Sequence, residues 1–255
     1  MSFPPPPPYV EGHGLLAGKS VLVTAAAGTG IGFATAKRCQ EEGARLVIAD
    51  KHERRLSESA ADLGVLGVPC DVTVEAEVQA LFAAAVDELG GIDVVINNAG
   101  LGGTALLHEM TDEQWSVVLD VTLNGTFRCT RAALNHMYER GHGVIVNNAS
   151  VIGWRAQEGQ AHYAAAKAGV MALTRCAAIE AGPRGVRVNA VAPSLAMHAN
   201  LAKVTTEELL VELAGKEAFG RWAEPWEVAN VMVFLASDYS GYMTGEVVSV
   251  SSQHP

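Results

Sequence analysis

The chain has 255 residues, 49% of them hydrophobic, and carries a formal net charge of -10. This length and composition allow one large core, so we expect a single domain of the α/β class. The negative charge disfavours a nucleic-acid partner. The chain has neither the roughly twenty consecutive apolar residues that cross a bilayer nor a basic and then apolar signal sequence. We therefore expect no membrane partner and a soluble, cytoplasmic protein.

The first feature in chain order is a proline run at residues 4–8. Such a run favours an extended polyproline II conformation. Because it stands at the very terminus, we interpret residues 1–17 as a tail and residues 18–255 as the dinucleotide-binding domain.

From residue 20 onward, short apolar runs alternate with segments of helical composition. The first run, SVLVT at 20–24, ends at a glycine-rich turn, and a helix is predicted at 31–42. Nearly continuous apolar strands that alternate with helices predict a parallel sheet covered on both faces, of Rossmann type with about seven strands. Further strands are predicted at 45–49, 65–70, 92–96, 143–149, 186–191 and 246–250, and further helices at 52–63, 74–89, 111–140, 161–181 and 225–236.

The segment 194–220 interrupts this alternation and contains one short predicted helix, at 205–214. An insertion after the carboxyl end of a strand lies on the ligand side of such a sheet, so we interpret it as a substrate lid. The alternative is a peripheral helical hairpin that only covers the sheet.

The turn TAAAGTGIG at 24–32 lies between the first strand and the first helix. Its small residues would let backbone N–H groups approach a pyrophosphate at the helix N-terminus. A tight turn without a ligand is the alternative, but the position in the chain favours a dinucleotide. The predicted contacts in this turn are Thr24, Gly28, Gly30 and Ile31.

Asp50 ends the second strand, about twenty positions after the turn, where a carboxylate binds the ribose hydroxyls of NAD. The same carboxylate would repel the 2′-phosphate of NADP, whereas the cations that follow it would attract that phosphate. We expect NAD, with NADP as the alternative. The cations are Lys51, His52, Arg54 and Arg55.

Two further strand ends carry candidate cofactor contacts. Asp71, with Val72 beside it, follows the third strand and is placed to contact the adenine, although Asp71 is also a suitable helix N-cap. The fourth strand runs into NNAG at 97–100, in which Asn98, Ala99 and Gly100 would close the cleft beside the ribose.

The candidate catalytic residues lie between 150 and 167. Tyr163 and Lys167 are four positions apart, so on a helix they share one face. A lysine cation beside a phenol stabilises the phenolate and lowers its pKa, which would let Tyr163 exchange a proton with an alcohol or a carbonyl while Ser150 holds the same oxygen. The spacing alone is weak, because an alanine-rich helix with two surface side chains gives the same pattern. No metal is predicted.

These motifs together resemble the short-chain dehydrogenase/reductase family, from about Gly18 to Val250. NNAG and the Ser150, Tyr163 and Lys167 set match its motifs, and the segment NAVAP at 189–193 resembles the one that holds the nicotinamide carboxamide. The resemblance implies that Tyr163 is the acid/base, that Lys167 also binds the nicotinamide ribose, that Ser150 polarises the substrate oxygen, and that Pro193 contacts the cofactor.

The chain departs from the family pattern at several positions. Ala25 stands where the family usually has its first glycine, with one additional residue before Gly30, and Thr122 stands where a helix asparagine is usual. Asn124 is about 200° further around a helix, so it is not a simple substitute. Ser194 follows Pro193 where glycine is usual, and the chain ends SVSSQHP where a Gly-Gly is common.

The chain also resembles one actinobacterial branch of this family, which acts on CoA thioesters in the degradation of steroid rings C and D. The segments that carry this narrower resemblance are TAAAGTGIG, NNASVIGWRAQ and SSQHP. The substrate that this implies is a hydroxy-methyl-oxo-indane-carboxyl-CoA, whose ring hydroxyl β to the thioester interconverts with its ketone. Trp154 would offer an apolar plate to the rings and Arg155 a cation, although packing of the one and solvation of the other are equally compatible. An NADPH-dependent 3-oxoacyl-ACP or -CoA reductase and a non-catalytic dinucleotide-binding protein stay open.

Two features bear on assembly and redox state. The long helices at 111–140 and 161–181 would pack against copies of themselves in a homodimer or homotetramer, as the resemblance implies, or else be buried within one subunit. The cysteines are far apart in mostly apolar surroundings, which favours buried free thiols: Cys39, Cys70, Cys129 and Cys176.

Overall fold

The computed structural model describes residues 3–197 and 207–252, the side chains of 207–209 excepted. One seven-stranded parallel sheet has the order β3-β2-β1-β4-β5-β6-β7, which confirms the predicted doubly wound sheet. Its strands are β1 (Ser20–Thr24), β2 (Arg45–Asp50), β3 (Leu66–Pro69), β4 (Val94–Asn97), β5 (Gly143–Asn148), β6 (Val186–Pro193) and β7 (Val247–Val250).

The helices lie close to their predicted positions, except for the one predicted at 111–140. A capping box between Thr111 and Gln114 starts this helix, but a single π-helical turn at Asp120–Asn124 then divides it in two. The helices are α1 (Ile31–Glu41), α2 (Glu53–Leu63), α3 (Glu75–Leu89), α4 (Asp112–Leu119), α5 (Gly125–Arg140), α6 (Ala161–Ala181), α7 (Glu207–Gly215) and α8 (Pro225–Ala236).

Alternating side chains of β1 bind the two layers of helices to the sheet. Leu22 belongs to the core cluster that contains Met137 of α5. Val21 and Val23 belong to the cluster on the opposite face, with Met232 of α8. Both faces of the strand are therefore buried, which is why its sequence is continuously apolar.

The sheet order reverses at β1, which pairs with β2 on one side and β4 on the other. In doubly wound sheets the ligand crevice opens at this reversal, beyond the carboxyl ends of the strands. The turn after β1, the NNAG segment after β4 and Ser150 after β5 therefore share one edge.

Residues 3–16, interpreted from sequence as part of a tail, lie against the domain. Arg38 of α1 is 4% exposed and Glu42 just beyond it is fully buried, and their side chains are 2.6 Å apart. Arg38 donates to the backbone carbonyls of Val10 and, over 3.1 Å, Glu11. Leu16 is fully buried in the core cluster that contains Val21, Val23 and Met232. The domain boundary at residue 17 stays a prediction.

The predicted lid at 194–220 is described only in part, since residues 198–206 lie outside the description. Of the helix predicted at 205–214, the part from Glu207 is present as α7. Before the gap, Ala196 forms a parallel bridge with Ala223. The lid itself stays a prediction.

The cysteines differ from the expectation at one position. Cys39, Cys70 and Cys129 are buried free thiols, and burial raises the pKa of Cys39 to about 12. Cys176 is also free but exposed, because it lies on the outer face of α6, where its apolar neighbours in sequence do not cover it.

Of the helices in the described ranges, none combines the length and apolarity needed to cross a membrane.

Candidate active site

Ser150, Tyr163 and Lys167 come together beyond the carboxyl end of β5. Ser150 caps a single 3-10 turn, accepting a hydrogen bond from the Ile152 amide over 3.3 Å. Its hydroxyl also donates to the Pro193 carbonyl at the end of β6, over 3.5 Å. This is a long bond, so the hydroxyl can exchange it for a better acceptor.

Helix α6 sets the other two side chains on one face. Tyr163 lies in its first turn and Lys167 one turn later. Lys167 is 2% exposed, and its Nζ donates to the Asn148 backbone carbonyl over 2.5 Å. The same Nζ lies 5.5 Å from the centroid of the Tyr163 ring.

Burial controls the acid–base behaviour of this pair. Burial raises the pKa of Tyr163 to about 12, and a hydrogen bond with Ser150 only partly opposes it. Burial also lowers the pKa of Lys167 to about 7. The lowering of the tyrosine pKa expected from sequence is therefore not present, because removal from water disfavours both the phenolate and the ammonium that would stabilise it.

Thr122 is buried in the π-helical turn and holds the loop that follows β4. Its hydroxyl accepts a hydrogen bond from the Leu101 amide over 3.0 Å and lies 3.2 Å from the Leu101 carbonyl. A Cβ added at Gly100 would lie 3.3 Å from Lys167 Nζ and 3.9 Å from Thr122 Oγ1, so both groups face the same glycine. Asn124 is exposed and bonds to the Asp120 carboxylate over 3.0 Å, away from this site.

The turn after β1 fits a bound pyrophosphate. Gly30 is the N-cap of α1, and no side chain caps it, so the amides of the first turn are open to an anion. At Gly32 a Cβ would lie 2.2 Å from the Ala25 carbonyl oxygen and 2.4 Å from Asn98 Nδ2, so a side chain is excluded there.

The turn has an unusual backbone. Ala25 is left-handed, with φ +50°, and is the only described non-glycine residue with positive φ. A glycine would meet less strain here. Asn98 Nδ2 donates to the Ala25 carbonyl over 3.0 Å, and the Gly28 amide, at φ +90°, donates to Ser59 Oγ over 3.0 Å. The departures noted in this turn, Ala25 and the additional residue before Gly30, thus lie beside two side-chain hydrogen bonds.

Asp50 closes one side of this turn. Its carboxylate accepts from the Ala27 amide over 3.2 Å and from the His52 amide over 2.9 Å. It is 8% exposed, so its position at the end of β2 is well defined. The carboxylate faces the turn predicted to hold the pyrophosphate, as a ribose ligand would.

Asp71 does not cap α3, whose N-cap is Val74. Instead it accepts from the amide and the hydroxyl of Thr73, and Lys51 lies 3.8 Å away. Burial raises the pKa of Asp71, but the Thr73 hydrogen bonds and Lys51 outweigh it, so the pKa lies below its ordinary value.

The other predicted cofactor contacts follow the same crevice. They sit at the ends of strands or the start of α1: Thr24, Gly28, Gly30, Ile31, Val72, Asn98, Ala99, Gly100 and Pro193. Their common location agrees with one elongated ligand, whose individual contacts stay predictions.

The architecture and motifs have close counterparts among known proteins. Residues 25–252 match the family model described as Enoyl-(Acyl carrier protein) reductase. The chain is 61% identical over 256 residues to the (5R,7aS)-5-hydroxy-7a-methyl-1-oxo-2,3,5,6,7,7a-hexahydro-1H-indene-carboxyl-CoA reductase of Mycobacterium tuberculosis, covering 98% of each. The chain belongs to the short-chain dehydrogenase/reductase family. It is an oxidoreductase that uses a nicotinamide dinucleotide, NAD or NADP.

Two other members of the family show how far the likeness extends. A short chain dehydrogenase from Mycobacterium smegmatis has 57% identity to this chain and a TM-score of 0.87, with 98% of each chain covered. The 3-oxoacyl-[acyl-carrier-protein] reductase of Vibrio cholerae is 37% identical, over 92% of this chain and 97% of that protein. The sequence resemblance to the family is confirmed.

In this dehydrogenase the predicted substrate residues follow directly on the Ser150 turn. Trp154 is 45% exposed and Arg155 is partly buried. The backbone amides of both donate to the Val151 carbonyl over 3.0 Å, which fixes their distance from Ser150. Their contact with substrate stays a prediction.

Three residues that support the site were not singled out from sequence. The backbone carbonyl of Asn148 accepts a hydrogen bond from Lys167 Nζ, and its side-chain Nδ2 donates to Asn98 Oδ1 over 2.9 Å. His162 is 2% exposed, and its Nδ1 accepts from the Tyr163 amide over 2.9 Å. Ser59 holds the Gly28 amide. Only Asn148 had a local signal, since NNAS after β5 repeats the form of NNAG after β4.

Proposed function

We propose that this dehydrogenase uses NAD(H) to interconvert a secondary alcohol and a ketone β to a CoA thioester, such as a hydroxy-methyl-oxo-indane-carboxyl-CoA from steroid ring C and D breakdown. The observation that carries the substrate class is the 61% identity, over 98% of both chains, to the reductase of that name. The arrangement of Ser150, Tyr163 and Lys167 supports the reaction type.

The crevice residues would hold the dinucleotide along its length. The amides at the start of α1 would bind the pyrophosphate, Asp50 the adenosine ribose, Asp71 the adenine edge, Lys167 the nicotinamide ribose and Pro193 the carboxamide. When bound, the nicotinamide supplies or accepts the hydride.

Tyr163 would be protonated at neutral pH, because its pKa is about 12. A protonated phenol suits the reductive direction, in which Tyr163 donates its proton to the carbonyl oxygen as the carbon is reduced. Ser150 would exchange its long bond to Pro193 for a hydrogen bond to the same oxygen. Lys167, with a pKa of about 7, can release and regain a proton at neutral pH and so return one to Tyr163.

Charges near Asp50 support NAD. Two of the nearby cations already have carboxylate partners: Lys51 lies 3.8 Å from Asp71, and Arg54 lies 2.7 Å from Glu58. A 2′-phosphate would have to compete with these carboxylates and also approach Asp50.

The reaction is tested by following NADH absorbance with indane-carboxyl-CoA and simpler 3-oxoacyl-CoA thioesters, in both directions. Tyr163→Phe should lower kcat by about a hundredfold or more while NADH affinity stays near that of the wild type. Tyr242→Phe removes the same hydroxyl from a fully exposed ring and is the control. Substantial turnover by Tyr163→Phe would contradict the assigned role.

Cofactor preference is tested separately with Asp50→Ala. The wild type should prefer NADH, and the variant should lose that preference as repulsion of the 2′-phosphate disappears. Preference of the wild type for NADPH and simple 3-oxoacyl thioesters would favour the fatty-acid reductase alternative. Dinucleotide binding without turnover of thioesters, ketones or alcohols would favour a non-catalytic protein.

A further inference from the structure

The N-terminal residues 3–16, here called the strap, are held by a buried ion pair. Glu42 accepts hydrogen bonds from the His13 and Leu15 amides over 2.8 and 2.9 Å as well as from Arg38. Burial raises the pKa of Glu42, but these bonds outweigh it and hold the pKa below its ordinary value. Removing the strap would take its backbone hydrogen bonds away from both the carboxylate and the guanidinium, which stabilise the docked position of the strap.

Two aromatic side chains of the strap contact α8 and the segment just before it. Tyr9 donates to the Glu41 carboxylate over 2.5 Å and meets the Trp226 ring edge-on, with centroids 5.2 Å apart. At the far end, Phe3 packs against Trp222 in a tilted arrangement, with a centroid distance of 4.5 Å and an interplanar angle of 52°. The strap therefore ends on the segment that precedes α8.

Trp222 is joined to the substrate side of the crevice through its neighbour Ala223. The Ala223 amide donates to the Leu195 carbonyl over 2.8 Å, and the Met197 amide donates to the Ala223 carbonyl over 3.1 Å. Leu195 lies two positions after Pro193, whose carbonyl accepts from Ser150. A short path of contacts thus runs from Phe3 to the residues beside the catalytic serine.

Trp222 is also fixed from the side of α8. Arg221 donates to the Trp222 carbonyl over 2.9 Å and forms two hydrogen bonds with Glu227, of 2.7 and 2.8 Å. Arg221 thereby restrains the Trp222 carbonyl and Phe3 restrains the ring, so Phe3 supplies one of two restraints on the position of Trp222. Loss of Phe3 would release the ring without unfolding α8.

We propose that Phe3 is a positioning residue: through Trp222 it holds the pairing of Ala223 with 195–197 at the rim of the site, and so promotes binding of the acyl-CoA substrate. The inference rests on the proposed function for its substrate. It predicts an effect on the substrate KM and little effect on proton transfer, since Phe3 touches none of the catalytic groups.

The test compares Phe3→Ala with Phe3→Tyr, which keeps the ring, and with Val10→Ala, a truncation of an exposed strap side chain. Phe3→Ala should raise the KM for the acyl-CoA by about three- to tenfold, with kcat and the KM for NADH within about twofold of the wild type. Phe3→Tyr and Val10→Ala should behave as the wild type. Adding Phe3→Ala to Trp222→Leu should have no further effect.

Amide hydrogen exchange gives a readout that does not need turnover. Phe3→Ala should speed exchange at Met197 and Ala223 by about tenfold and leave β4 and β5 unchanged. An unchanged KM, unchanged exchange at these amides, or faster exchange throughout the sheet with a matching fall in kcat would each overturn the proposal. If the wild type turned over no acyl-CoA, the proposed function would fail, while the exchange result would still decide whether Phe3 positions this pairing.

Discussion

The phenol of Tyr163 and the ammonium of Lys167 lie one helical turn apart on α6, and their pKa values move in opposite directions. Burial raises the first to about 12 and lowers the second to about 7. The residue types and their spacing predict a proton-transfer pair, but not which partner is protonated at neutral pH. That depends on how far the fold removes each group from water.

Lys167→Met should change how stability depends on pH. The pKa of Lys167 is about 7 in the folded chain, against about 10.4 when unfolded. The unfolded chain therefore binds more protons between these values, and the unfolding free energy of the wild type should rise relative to the variant, by about 2 kcal/mol from pH 7 to pH 9. Urea unfolding at both pH values measures this. Lys37→Met, at an exposed position on α1, is the control, and parallel profiles for the wild type and Lys167→Met would contradict the lowered pKa.

The sequence shows that Thr122 replaces the asparagine usual in the family, but it does not show which groups the Thr122 hydroxyl binds instead. In place of the usual asparagine, its hydroxyl bonds to both backbone groups of Leu101. It therefore supports the loop that faces Lys167. This role is structural, and removal of the hydroxyl would leave the Leu101 amide without that partner.

At the scale of elements, the turn between β1 and α1 brings together residues of the predicted cofactor site. Ala25, Gly32 and Asn98 meet there so closely that a Cβ at Gly32 would overlap the other two. The glycine pattern predicted the turn, whereas the contact with Asn98 follows from the pairing of β1 with β4, whose residues are distant in sequence.

Gly32→Ala should weaken dinucleotide binding. The added methyl would displace the Ala25 carbonyl or the Asn98 amide, so we expect a loss of about 1–3 kcal/mol in stability and at least about tenfold in NADH affinity, measured by fluorescence titration. Gly182→Ala is the matched control, because its Cβ would meet nothing within 4 Å and its φ is -53°. Wild-type NADH affinity in Gly32→Ala would show that the turn has room to relax.

The hydrophobic periodicity of residues 111–140 predicts one continuous helix and does not reveal the π-helical turn that divides it. The composition of DVTLN at the π-helical turn is compatible with a continuous helix, and its five residues are too few to change the period detectably. The widened turn is accompanied by the hydrogen bonds of Thr122 to the loop after β4. Tertiary contacts therefore accompany a break that local propensity does not reveal.

For the whole molecule, self-association through the long helices stays a prediction. Trp115 on α4, Phe127 on α5 and Ile179 on α6 are 37%, 42% and 80% exposed, which is compatible with an apolar contact between copies. A cytoplasmic location also stays a prediction.

Light scattering should give a mass of about two or four times the 26.7 kDa of one chain. Ile179→Glu should lower that mass, because a carboxylate within an apolar contact between copies would be desolvated. Ala61→Glu, at an exposed position on α2 away from these helices, should not. A single-chain mass for the wild type would instead show that the chain does not self-associate.

The order of strands and helices, the cofactor turn and the catalytic residue types follow from the amino-acid sequence, because each is written in local patterns of apolar runs, glycines and strand-end polar residues. Three properties come only from the assembled fold: the raised pKa of Tyr163, the π-helical turn at Thr122, and the docking of the strap on Trp222. Each depends on neighbours supplied by distant parts of the chain. Burial, hydrogen bonding and aromatic contact arise only when those parts meet.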